Sequence, residues 1–126
     1  MKTVCITGAS SGIGKATAKA LAHNNRLILG GRRLEKLIEL KKELPQTPIH
    51  ILNFDVSKKD EVKHAFDSLP QEWQTIDILI NNAGNAHGLA SFQDALLEDL
   101  DAMIDSNVKG VIYVTKFALP YLKQSA

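Results

Sequence analysis

The sequence predicts an α/β fold: a doubly wound parallel sheet with helices on both faces. Three observations carry this expectation. Four short apolar runs alternate with segments of helical period, each connection is long enough for a crossover, and a glycine-rich loop joins the first run to the first helical segment. At 126 residues, with 44% hydrophobic and 23% charged content, the chain suits one domain (1–126) with a continuous core rather than a disordered segment.

Thr3 to Thr7 is rich in β-branched residues and alternates little, as a strand buried on both faces should. After the loop "TGASSGIG", Ile13, Ala16, Thr17, Ala20 and Leu21 recur at helical spacing until Asn24 and Asn25. "RLILGG" is a second strand, and the helix that follows repeats Leu34, Leu37, Ile38 and Leu44 before Pro45 ends it. "PIHILNFDV" gives a third strand, and "SKKDEVKHAFDSLP" a third helix with Ser57 as N-cap and Pro70 as terminator. "IDILINNAG" is a fourth strand running into an Asn/Gly turn. Beyond it the helical period returns twice, broken around Asp105 to Asn107.

Right-handed crossovers place strands two and three on one side of the first and strand four on the other, an order of 3-2-1-4. The charged segment "RRLEKLIELKKEL" reads as a solvated helix face. A net charge of +1 argues against a nucleic-acid partner that needs a broad positive field. The N-terminus carries too few apolar residues for a signal peptide, and no apolar run reaches the roughly 18 residues of a membrane span. The single cysteine, Cys5, lies in an apolar strand and reads as a buried, inert thiol, consistent with a cytoplasmic setting. His23, His50, His64 and His87 share no metal-binding spacing, so no metal site is expected.

A glycine loop between strand and helix is a phosphate site in waiting. The helix N-terminus offers unpaired N–H groups and partial positive charge. Gly8 permits the tight turn, Gly12 keeps a Cβ away from the ligand, and Gly14 lets the helix pack against the first strand. Ser10 and Ser11 add hydroxyl donors, and Ile13 lies between the last two glycines. The spacing lacks the Gly-Lys-Ser/Thr ending of a triphosphate loop, which favours a dinucleotide. The end of the second strand then selects the cofactor. An NAD site has a carboxylate there for the ribose 2′-hydroxyl. This chain has Gly31 followed by Arg32 and Arg33, whose guanidinium groups suit a 2′-phosphate, so NADP is expected rather than NAD.

With "TGASSGIG", "FDV" and "NNAG" placed after the first, third and fourth strands, the whole chain resembles the short-chain dehydrogenase/reductase family, whose sheet is of the Rossmann type. "LGGRRLEKL", "SLPQEW" and "IDILINNAG" look most like its NADP-dependent serine and 3-hydroxy acid dehydrogenase branch. The resemblance implies that Asp55 accepts from the adenine amino group, with the Val56 backbone beside the ring. It implies that Asn82, Ala83 and Gly84 line the ribose and phosphates, while Asn81 and Asn82 brace the sheet. It also implies that Asn107, in "SNVKG", is a catalytic residue whose backbone holds a water linking an active-site lysine to solvent. On chemistry alone, Asp55 could equally be a helix cap, the asparagines a satisfied turn, and Asn107 a junction residue.

The resemblance further implies hydride transfer between the nicotinamide and a small hydroxyl or carbonyl substrate, with the tyrosine of a Tyr-x-x-x-Lys pair as general base and a serine positioning the substrate oxygen. That pair is absent: four residues after Tyr113 is Phe117, and four after Tyr121 is Ser125. The expectation is therefore a cofactor-binding half, inactive alone, of a protein of about 230 to 260 residues. Its fourth strand would present an open edge. The stripe Val111, Val114, Phe117, Ala118 and Leu122 on the last helix resembles the family's dimerisation face, which implies an exposed surface and a homo-oligomer (dimer or tetramer). A non-catalytic dinucleotide-binding module and an assembly fragment remain as alternatives.

Overall fold

The computed structural model describes residues 1–84 and 90–123. Strands β1 (Lys2–Ile6), β2 (Asn25–Gly31), β3 (Ile49–Asn53) and β4 (Ile78–Ile80) form one parallel sheet in the order β3-β2-β1-β4, as the crossover rule requires. In β1 and β2 successive side chains serve opposite faces. Val4, Ile6, Leu27 and Leu29 pack under helices α1 (Gly12–Leu21) and α2 (Leu34–Glu43). Cys5 and Ile28 pack with Val62 and Phe66 of α3 (Lys59–Asp67) and Val114 and Ala118 of the last helix. A strand covered on both faces has no polar side to alternate with, which explains the unbroken apolar runs.

Helix α4 (Leu97–Ile104) continues without a break into α5 (Gly110–Lys123) through a π-helical turn, Asp105–Lys109. The interruption expected around Asp105 to Asn107 is thus a change of register, not an end. The Gly110 N–H reaches the carbonyl of Asp105, five residues back. On α5, Tyr121 stacks on Phe66 at 6.5 Å and donates its hydroxyl to the Phe66 carbonyl at 3.0 Å.

Four sequence expectations need correction. On α1 the buried face is Gly14 and Ala18, with Leu21 and Ala22 against the core, whereas Ile13 is 78% exposed. On α2 it is Leu37 and Leu40, with Leu44, while Leu34 and Ile38 face outward. Ile13 instead lines the cleft described below. On α5 the stripe expected to be exposed is mostly buried: Val114 and Ala118 are inaccessible, Phe117 and Leu122 pack against the core, and only Val111 is open. The outward apolar residues are instead Val108, Ile112 and Leu119. Ser57 does not cap α3; its N–H and hydroxyl both donate to Asp55 Oδ1, at 2.9 and 2.7 Å, closing a turn ahead of the helix.

Cys5 is fully buried, and burial pushes its thiol from 9.0 up to about 12. Its contribution to stability is complete below pH 9.0 and is lost as pH rises toward about 12, because the unfolded thiol ionises first. The expected result is that iodoacetamide at pH 8 leaves Cys5 unmodified in the folded chain and alkylates it in urea; mass spectrometry checks this.

Candidate functional site

A cleft of about 310 Å³ opens at the carboxyl ends of the strands, where the sheet order reverses about β1. Each wall comes from a different strand exit. From the β1–α1 loop come Gly8, Ser10, Ser11, Gly12 and Ile13; from the end of β2, Gly31, Arg32 and Arg33. The exit of β3 contributes Phe54, Asp55 and Val56, that of β4 Asn82, Ala83 and Gly84, and the π-helical turn contributes Ser106.

The glycine loop is shaped by backbone sterics. Gly8 and Gly12 have φ of 65° and 57°, the left-handed region. Nothing lies within 4 Å of where a Gly12 side chain would project, so that side of the loop is open. Gly14 does not line the cleft. A methyl group there would collide with the Gly8 carbonyl and the Asn82 side chain, so its close approach is to the loop and the β4 turn rather than to the body of the first strand. This holds the start of α1 directly beneath the loop.

Thr7, the first residue of the loop motif, ties the loop to the opposite wall. Its Oγ1 accepts the backbone N–H groups of Asn82 and Ala83, both at 3.0 Å, and its own N–H donates to Ile80. The Asn82 amide donates to the Gly8 carbonyl at 3.1 Å, and the Asn81 amide to Thr115 Oγ1 at 3.1 Å. The expected bracing by these asparagines therefore runs to the glycine loop and to α5. Thr7→Val keeps the shape but removes the acceptor of the Ala83 N–H and leaves the Asn82 N–H the Ile80 carbonyl alone, and should lower unfolding free energy by about 1 to 2 kcal/mol in urea titration.

On the other side, Asn53 holds the turn that presents the arginines, donating to the carbonyls of Gly31 and Arg32 at 2.9 and 3.0 Å. Arg33 spans the cleft mouth to Ser11 Oγ at 3.4 Å, and Arg32 lies 4.0 Å from Asp55 Oδ2. That ion pair is partly exposed and worth at most about 1 kcal/mol. No carboxylate occupies position 31, and Arg32 and Arg33 follow it in the cleft wall.

Asn107 is exposed and does not line the cleft; its carboxamide packs against Gly84, where any side chain on Gly84 would meet it. Ser106, its buried neighbour, donates to the Ala102 carbonyl at 3.0 Å and faces the cleft. Phe54, Ser106, Thr7 and Asn53 are the residues that sequence reasoning missed. Phe54, Thr7 and Ser106 each begin a quoted motif, "FDV", "TGASSGIG" and "SNVKG", which was the positional signal; Asn53 had none. Among the described residues no group of acidic, histidine or cysteine side chains could hold a metal; His87 lies outside them. No helix among the described residues is long and apolar enough to cross a membrane.

The sequence profile described as short chain dehydrogenase matches residues 2–126. The NADP-dependent 3-hydroxy acid dehydrogenase YdfG of Escherichia coli (strain K12) is 42% identical over 118 residues, 93% of this chain and 47% of the relative. The serine 3-dehydrogenase of Agrobacterium fabrum is 40% identical, over 95% of this chain and 48% of its own length. Among solved structures, the closed form of a serine dehydrogenase complexed with NADP+ superposes with a TM-score of 0.90 at 39% identity, covering 97% of this chain and 49% of that one. The chain spans about half the length of the curated relatives it matches.

Proposed function

The chain belongs to the short-chain dehydrogenase family, and from that premise we propose that it forms the cofactor-binding half of an NADP-dependent oxidoreductase acting on a small hydroxyl or carbonyl substrate. The observation that carries the cofactor assignment is the end of β2: Arg32 and Arg33 follow a residue without a side chain and line the same cleft as a glycine loop at a helix N-terminus. The relatives named for 3-hydroxy acids and serine, and the solved serine dehydrogenase with NADP+, support the same choice and suggest a 3-hydroxy acid as substrate.

The residues present fit the group. The loop amides, with Gly8 and Gly12 left-handed, receive the pyrophosphate; Ser10 and Ser11 add hydroxyls; Arg32 and Arg33 hold the 2′-phosphate. Asp55 orients the adenine amino group, Val56 and Phe54 flank the ring, and the 82–84 turn lines the ribose. When bound, NADP would supply hydride exchange with the carbinol carbon. Asn107 holds a water by its backbone, for which the π-helical turn at this position is suited, since widened helical turns release regular carbonyl pairing. We further assign a cytoplasmic location and a homo-oligomer, formed through the outward residues Val108, Ile112 and Leu119.

The test is turnover of serine and of 3-hydroxy acids by the full-length protein carrying this chain, followed by nicotinamide absorbance. Oxidation with NADP+, at least about tenfold more efficient than with NAD+, is expected. Cofactor binding without turnover of any hydroxyl substrate would reject the oxidoreductase and leave a binding module.

A further inference from the structure

The π-helical turn is wedged between two walls of the cleft, and neither contact leaves room for a methyl group. At one end, a methyl on Gly110 would lie 2.8 Å from Val56 Cγ2 and 3.0 Å from its Cβ. Val56 lines the cleft, and its β-branched side chain has little freedom to turn away. From the middle of the turn, Asn107 packs on Gly84, which also lines the cleft. Next to Asn107, Ser106 faces the cleft itself, and Gly110 makes the five-residue hydrogen bond that defines the turn.

We propose that Gly110 is a positioning residue: its missing side chain seats the π-helical turn on Val56, so that a ligand filling the adenine end of the cleft fixes the register that places Asn107. The inference rests on the cofactor reading above. Val56 and Gly84 are the two surfaces a dinucleotide would hold still; Val56 meets Gly110, which closes the turn, and Gly84 meets Asn107 within it. Ligand binding therefore narrows the choices of the turn without touching Asn107 directly. Helix propensity alone favours alanine over glycine, so loss of function on Gly110→Ala would come from the contact and not from a weakened helix.

Amide hydrogen exchange over residues 105–111, with and without NADP+, tests this in the wild-type chain, Gly110→Ala, and Gly110→Ala with Val56→Ala. In the wild type NADP+ should slow exchange in this segment at least about fivefold. Gly110→Ala should still bind NADP+ but show no such slowing, and removing the Val56 γ-carbons in the double variant should restore most of it. Binding of NADP+ without slowing in the wild type overturns the inference, as does slowing in Gly110→Ala equal to wild type. If Gly110→Ala does not fold, the double variant decides: slowing in it supports the proposal, and its absence despite binding refutes it. No binding of NADP+ to the wild type overturns both this inference and the cofactor reading.

Discussion

Gly14→Ala should lower unfolding free energy by about 3 kcal/mol, the upper range for forcing a methyl into a closed site. The reason is what the methyl meets. The Gly8 carbonyl cannot rotate away, because Gly8 is held in a left-handed turn and its oxygen accepts from the Asn82 amide. Either α1 withdraws from the loop or the loop leaves the 82–84 turn, and both break the contact between the first and fourth strand exits. Gly12→Ala supplies the contrast. Nothing within 4 Å opposes its methyl, so only the left-handed backbone is strained, at about 1 kcal/mol. Urea titration of the two variants should separate them clearly; equal midpoints would mean that Gly14 is not the close contact.

Arg32→Ala should weaken NADP binding about 30-fold and NAD binding less than about threefold, from the loss of charge-assisted hydrogen bonds to the 2′-phosphate. The converse variant is Gly31→Asp. A Cβ at Gly31 would sit 3.4 to 3.7 Å from the Leu37 side chain, ordinary contact or slightly tighter, so the strand end accepts the residue. Its carboxylate would repel the 2′-phosphate and accept from a ribose hydroxyl, shifting preference toward NAD by about tenfold or more. Isothermal titration of both variants with both dinucleotides reads the effect. Equal losses for NADP and NAD in Arg32→Ala would remove the phosphate role.

The strand order and the location of the cleft were legible because they follow from local signals. Unbroken apolar runs mark strands covered on both faces, and a left-handed glycine loop is visible as glycines at fixed spacing. The faces of the helices were not. Ile13, Leu34 and Ile38 satisfy a helical stripe by composition, yet Ile13 lines the cleft and Leu34 and Ile38 are exposed, because periodicity alone does not say which apolar positions the sheet covers. The α5 stripe was read correctly as a face and wrongly as an outer one, because burial against α3 depends on a partner about fifty residues away. Thr7 and Asn53 escaped notice for a related reason. A threonine ending a strand looks like β propensity, and only the fold brings its hydroxyl to Asn82 and Ala83.

The central claim is that this cleft selects a dinucleotide by its 2′-phosphate. Calorimetric titration of the chain with NADP+, NAD+ and 2′-phospho-AMP tests it most directly. Binding of NADP+ and of 2′-phospho-AMP at one site, with NADP+ at least about tenfold tighter than NAD+, is the predicted result. Equal affinity for NAD+ and NADP+, or no binding of 2′-phospho-AMP, would contradict it.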